Sequence, residues 1–230
     1  MPDPITILIP VYEGVTQLDF TGPHQFLVRV PSARVIVASV GAKAIACEGL
    51  VFAGLTDLSA VLSCDVLCVP GGAGCIDALE DDAYLASIRR LAGTAKYLTS
   101  VCTGSLILAA AGLLEGRRAA CHWAWRDLLS IFGAIPDAAR VVRDANIITG
   151  GGVTAGIDLA LTLIAELAGE ELARSIQLRL EYAPAPPFDS GRPESASPET
   201  LQAVSELLAP DMAVRRTRLE ALVKPRPRSF

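Results

Sequence analysis

Thr99-Ser100-Val101-Cys102-Thr103-Gly104-Ser105 is the stretch on which the fold turns. The run before it, Tyr97 to Val101, is apolar and rich in strand-forming residues. The run after it, Gly104 to Leu114, is built of small and apolar residues in a helical pattern. Together they place a thiol on a tight strand-to-helix turn, at the amino end of a helix. Helix amino termini present unpaired N–H groups and a partial positive charge. Both favour a thiolate, the nucleophilic form of cysteine. The arrangement is a nucleophile elbow with Cys in place of Ser. A small buried cysteine that only fills space behind a helix would give the same local pattern.

The same alternation extends in both directions. Ile5 to Ile9 is a short, continuous apolar run, as in a parallel strand buried on both faces. A helix follows, with Thr21 expected as its N-cap and Pro23 in its first turn. Strands are expected over Arg34–Val40, Asp65–Val69, Tyr97–Val101 and Arg118–Cys121. Ala44–Phe52 reads as short strands about a turn at Glu48-Gly49. Val141–Arg143 and Ile147–Thr149 read as a hairpin through Asp144-Ala145-Asn146. Helices are expected over Asp81–Ala92, Gly104–Leu114, Trp123–Phe132, Thr154–Leu167, Glu170–Glu181, Thr200–Leu208 and Val214–Val223. Pro184 to Pro198 is a surface loop. Strands alternating with helices give an α/β fold, a doubly wound and mainly parallel sheet flanked by helices. Residues 1–190 are expected to form this domain, and 191–230 a helical extension on it.

Composition bounds the functions. The 230 residues are 51% hydrophobic and 20% charged, with a formal net charge of −5. That balance suits a globular domain and argues against nucleic acid as a partner. Between Val214 and Phe230, Arg215, Arg216, Arg218, Lys224, Arg226 and Arg228 face one acid, Glu220. This segment reads as a solvated helix end and tail rather than a nucleic-acid patch. The cysteines (47, 64, 68, 75, 102 and 121) form no CxxC pair, and two histidines give no zinc spacing. No metal is expected. The amino terminus has no signal pattern and no apolar run is long enough to span a membrane. A cytoplasmic protein with reduced thiols is expected.

Ligands of such sheets bind outside the carboxyl ends of the strands. Three features fall there: Pro70-Gly71-Gly72, Cys102 and Gly150-Gly151-Gly152. Gly71-Gly72-Ala73-Gly74 is neither GxGxxG nor a P-loop. Its glycines either bring N–H groups close to a reacting atom, as an oxyanion hole does, or simply make a turn. Asp19 reaches the same rim if the first strand is central. There it either exchanges protons with a thiol or caps a helix. His122 offers a Cys–His pair, the arrangement for amide hydrolysis, or is structural. His24 is expected to be structural or exposed.

Four segments carry a resemblance. They are Gln17-Leu18-Asp19-Phe20-Thr21-Gly22-Pro23, Val69-Pro70-Gly71-Gly72, Ser100 to Ser105, and His122-Trp123. In order and spacing they resemble the ThiJ/PfpI superfamily, which has a flavodoxin-like, class I glutamine amidotransferase-like fold and an elbow cysteine facing an acid. Val141 to Asp144, Thr149 to Asp158 and Leu180 to Phe188 resemble its isonitrile (isocyanide) hydratase group. The resemblance implies hydration of R–NC to an N-substituted formamide by a covalent cysteine thioimidate, without cofactor. It implies Cys102 as nucleophile and Asp19 as proton donor and base. Thr103 and Gly72 would supply N–H groups to developing charge, with Thr103 Oγ1 orienting substrate or water. Gly71 and His122 stand as further candidates. It also implies a neutral substrate in an apolar pocket, and a homodimer. A ligand- or redox-sensing domain, and a Cys-dependent amidase or glyoxalase-type enzyme, are the alternatives on this scaffold.

Overall fold

The computed structural model describes residues 4–31 and 33–223. The strands are β1 (Ile5–Pro10), β2 (Ala33–Ser39), β3 (Ile45–Cys47), β4 (Leu50–Phe52), β5 (Thr56–Asp57), β6 (Val66–Val69), β7 (Tyr97–Val101), β8 (Arg118–Ala119), β9 (Ile135–Pro136), β10 (Val141–Asp144) and β11 (Ile147–Gly150). The helices are α1 (Gln17–Leu27), α2 (Cys75–Glu80), α3 (Asp82–Ala92), α4 (Gly104–Ala110), α5 (Ala155–Ala168), α6 (Glu170–Arg179) and α7 (Pro198–Val223). Seven strands form one sheet in the order β10-β11-β7-β6-β1-β2-β5. Every pair in it is parallel except the β10/β11 hairpin. The architecture is the expected α/β sheet flanked by helices.

β1, β6 and β7 occupy the centre, which explains their unbroken apolar runs: Ile7, Leu8, Ile9, Val66, Leu67 and Val69 are all fully buried. α1 and α5 cover one face, over Phe26, Leu27, Leu159 and Leu163. α2, α3 and α4 cover the other, over Leu79, Ile88, Leu106 and Ile107. Tyr84 and Tyr12, stacked edge-on at 5.4 Å, donate from their hydroxyls to Pro10 O and Pro70 O, each at 3.0 Å. Two strand ends beside the loops at the sheet's carboxyl edge are thereby pinned.

Several boundaries differ from the sequence expectation. α1 begins at Gln17, so Thr21 is no cap. It lies a turn inside, and its hydroxyl donates to Gln17 Oε1 at 2.9 Å. α4 ends at Ala110, and Trp123–Phe132 holds a short 3-10 helix, Arg126–Phe132. β5 and α2 went unread because two and six residues give periodicity nothing to show. The last two expected helices are one, α7, running through Pro210. Its neighbours there are exposed, so water can satisfy the carbonyl that Pro210 cannot serve. Lys224, Arg226 and Arg228 of the basic tail lie outside the described residues.

Candidate active site

Cys102 is the first of two residues between β7 and α4. Its φ is +56°, a left-handed conformation that a non-glycine residue adopts at a cost of about 1–3 kcal/mol. Its N–H donates to Gly151 O at 2.8 Å and to Gly150 O at 3.1 Å, which fixes the turn. Behind it, Ser100 and Ser105 hydroxyls lie 2.8 Å apart, and Ser105 Oγ donates to Ala120 O at 2.5 Å. Ala120 N–H in turn donates to Thr149 Oγ1 at 2.8 Å. Buried hydroxyls thus tie the elbow to its neighbours.

Asp19, in the first turn of α1, is fully buried. Gly71 N–H donates to its Oδ2 at 2.9 Å, while Oδ1 is buried without a well-formed hydrogen bond. Burial raises its carboxyl from 3.8 to about 7. The Gly71 N–H and the adjacent Cys102 thiol pull the other way, and Glu48 adds to the rise. A Cβ on Gly71 would lie 2.4 Å from Thr103 N and 2.9 Å from Asp19 Oδ2, so only glycine fits where the two meet. A Cβ on Gly104 would lie 2.1 Å from Val69 O, which lets α4 sit directly against the end of β6.

The thiol is not the ready thiolate that its helix position implies. It is 5% exposed, and burial raises its pKa well above the ordinary value. The Asp19 charge and Cys121 raise it further, against a Thr103 N–H that lowers it. α4 has seven residues, too little dipole to offset that desolvation. The resting pair is a thiol beside a carboxyl group, both of raised pKa.

Gly72 N–H is not a free oxyanion donor: it donates to Thr103 Oγ1 at 2.9 Å. The Thr103 hydroxyl is therefore occupied in holding the Gly71-Gly72 turn against the elbow. Thr103 N–H favours the thiolate form of Cys102 and lowers its pKa. His122 does not join the pair. Its Nδ1 accepts from Ala124 N–H at 3.3 Å, and burial, then the Arg215 charge, lower its pKa. His24, on α1, has its pKa lowered by partial burial.

The surroundings join the His122-Trp123 pair to arginines that the sequence reading did not single out as site residues. Cys121, His122, Trp123, Arg126, Arg140 and Arg192 line a cleft of about 260 Å³ beside the elbow. This cleft is rich in arginine. Arg215 of α7 lies 4.2 Å above the Trp125 ring and donates to Ala73 O at 3.2 Å, so the basic helix reaches the glycine turn. No periodicity or spacing marks the arginines as site residues, because they meet only when distant segments fold together. Among the described residues, no group of three or more His, Cys, Asp or Glu side chains could hold a metal ion. No helix there is long and apolar enough to cross a membrane.

An elbow cysteine against a buried carboxyl, at the carboxyl edge of a flavodoxin-like sheet, defines a class. The chain belongs to the DJ-1/PfpI family, whose model matches residues 5–166. It is 48% identical over 206 residues to the isonitrile hydratase of Pseudomonas putida, covering 89% of this chain and 90% of that protein. A ThiJ/PfpI family protein from Pseudomonas syringae superposes with a TM-score of 0.90 at 39% identity, over 98% of this chain and 92% of that one. The HTH-type transcriptional regulator GlxA of Rhizobium meliloti (strain 1021) is 31% identical over 149 residues, 64% of this chain but 46% of the regulator.

Proposed function

We propose that the protein is an isocyanide hydratase, a hydro-lyase in which Cys102 is the nucleophile and Asp19 moves the protons. The observation that carries the chemistry is the buried thiol–carboxyl pair. The 48% identity over nine-tenths of a named isonitrile hydratase supports the substrate class. An isocyano group is a two-atom linear rod, slim enough to approach a residue that is 5% exposed.

The terminal carbon of R–NC needs one nucleophile and one proton. As Cys102 sulfur bonds to it, Asp19 carboxylate takes the thiol proton and returns it to the same carbon. The product is a neutral thioimidate, R–N=CH–S–Cys102, formed by net insertion of carbon into S–H. Water then adds to the C=N carbon, one proton going to nitrogen and the other to Asp19. The carbon–sulfur bond breaks, Asp19 returns the proton to sulfur, and R–NH–CHO leaves. A raised thiol pKa is no obstacle, since the thiol reacts with its base already in place. Thr103 N–H stabilises the departing sulfur. Gly71 and Thr103 Oγ1 keep Asp19 and the turn in register.

The test is formation of N-cyclohexylformamide from cyclohexyl isocyanide. Wild type forms it, with kcat/KM rising as the pH passes about 7 and Asp19 ionises. Cys102→Ala and Asp19→Asn each lose at least about a thousandfold, in the range of lost nucleophiles and bases. Wild-type turnover by Cys102→Ala would end the covalent route. We further propose that residues 1–190 form the catalytic domain, that 191–230 are an extension of it, and that the protein is a homodimer.

A further inference from the structure

The cleft beside Cys102 does not suit a wholly neutral substrate. Its inner wall includes Gly151, whose carbonyl accepts the Cys102 N–H, and Cys121, which acts electrostatically on the Cys102 thiol. One wall of the cleft is therefore hydrogen-bonded to the backbone of the nucleophile. Its outer wall carries Arg126, Arg140 and Arg192 against a single lining acid, Glu194. Arg140 is paired with Asp158. Among the described residues, Arg126 and Arg192 have no ion-pair partner. This concentration of guanidinium stands against a chain whose net charge is −5. A hydrocarbon tail gains nothing from it.

We propose that this cleft binds an anionic group at the far end of the substrate, and that the preferred substrates are isocyanides bearing a carboxylate. Three guanidinium groups offset by Asp158 and Glu194 leave about one positive charge, which matches a monoanion better than a phosphate dianion. Arginine forks suit the planar carboxylate. The inference rests on the isocyanide reading and specifies the substrate of the same site.

The test compares kcat/KM for 3-isocyanopropanoate and its methyl ester, in wild type, Arg192→Gln and Arg126→Gln/Arg192→Gln. In wild type the acid is favoured by about tenfold or more, the worth of one charge-assisted hydrogen bond. Added salt lowers that ratio. The ratio falls part-way in the single variant and to about one in the double. An ester as good as the acid in wild type, or an acid preference that survives in the double variant, overturns the proposal. If neither compound yields a formamide while cyclohexyl isocyanide does, the proposal is overturned; if none of the three does, the hydration reading has failed and the cleft is tested separately. Trp123 lines it, so tryptophan fluorescence is then titrated with N-formyl-β-alanine and with its methyl ester. Tighter binding of the acid, lost in the double variant, supports the anion site; equal binding overturns it.

Discussion

Asp19 has the environment of a working carboxyl: no exposure, one N–H donor and a neighbouring thiol. A carboxyl that stays protonated to about pH 7 in the folded chain, against 3.8 as the ordinary value, depends on pH in a definite direction. Between those values the folded state holds a proton that the unfolded chain releases, so this group's contribution to stability falls as pH rises. The loss reaches roughly 4 kcal/mol above pH 7, at 1.36 kcal/mol per pKa unit. Asp57, Asp65 and Glu80 have lowered pKa values, and their effect lies at lower pH and has the opposite sign. Urea unfolding of wild type and Asp19→Asn at pH 4.5, 6 and 8 isolates the Asp19 contribution. The variant gains on wild type as pH rises, and equal pH slopes would refute the buried-acid account. Cys102 and Asp19 were legible in the sequence because a strand-to-helix turn and a recurrent segment mark them. The thiol's raised pKa was not, since burial is a property of the assembled fold. The same holds for the occupation of Gly72 N–H by Thr103 Oγ1.

Among the elements, α7 departs furthest from its sequence expectation. Two helices are expected there, the second with a solvated basic end; instead one helix docks on α2 and the 3-10 helix. Leu219 is fully buried, and Arg218 reaches Asp77 and Glu80 at 2.6 and 2.7 Å. Magnitudes decide which contact matters. The Arg218 pairs are partly exposed and worth about 1 kcal/mol or less, whereas truncating a fully buried leucine costs about 2–5 kcal/mol. Leu219→Ala is therefore expected to lower the urea-derived stability by at least about 2 kcal/mol, and Arg218→Ala by under about 1. The reverse order would mean that charge, not packing, holds the helix. The pattern hid this because α7 has too little apolar periodicity to signal a docked face. The attachment is made by Leu219, by the partly buried Leu208 and Met212, and by Arg215 and Arg218. The central strands were easy to read for the opposite reason: burial on both faces leaves continuous apolar runs.

At the scale of the molecule, the sheet brings α1, the glycine turn, the elbow and the start of α5 to one rim, while the β3–β4 hairpin stands apart from the sheet. An isolated two-stranded hairpin is marginal in water. This one is held by Phe52 on Phe20 at 4.9 Å and by Ala46, whose carbonyl accepts from Gly14 and whose N–H donates to Glu13. Its outer surface exposes Leu50 and Val51, at 50% and 71%. The tip beside them carries Glu48, whose charge raises the Asp19 pKa. Covering that apolar surface with a second copy would both bury it and fix the distance from Glu48 to Asp19. The proposed homodimer is thus expected to form through this hairpin. Sedimentation equilibrium should give a dimer for wild type and a monomer for Leu50→Glu/Val51→Glu, since two charges placed in an apolar interface cost far more than they can regain. The monomeric variant should retain the fold by circular dichroism, and with Glu48 released its kcat/KM should rise at a lower pH than in wild type. A wild-type monomer, or a dimer unaffected by both charges, would place the contact elsewhere or remove it. A monomer with an unshifted pH profile would show that Glu48 is held by the chain's own packing alone.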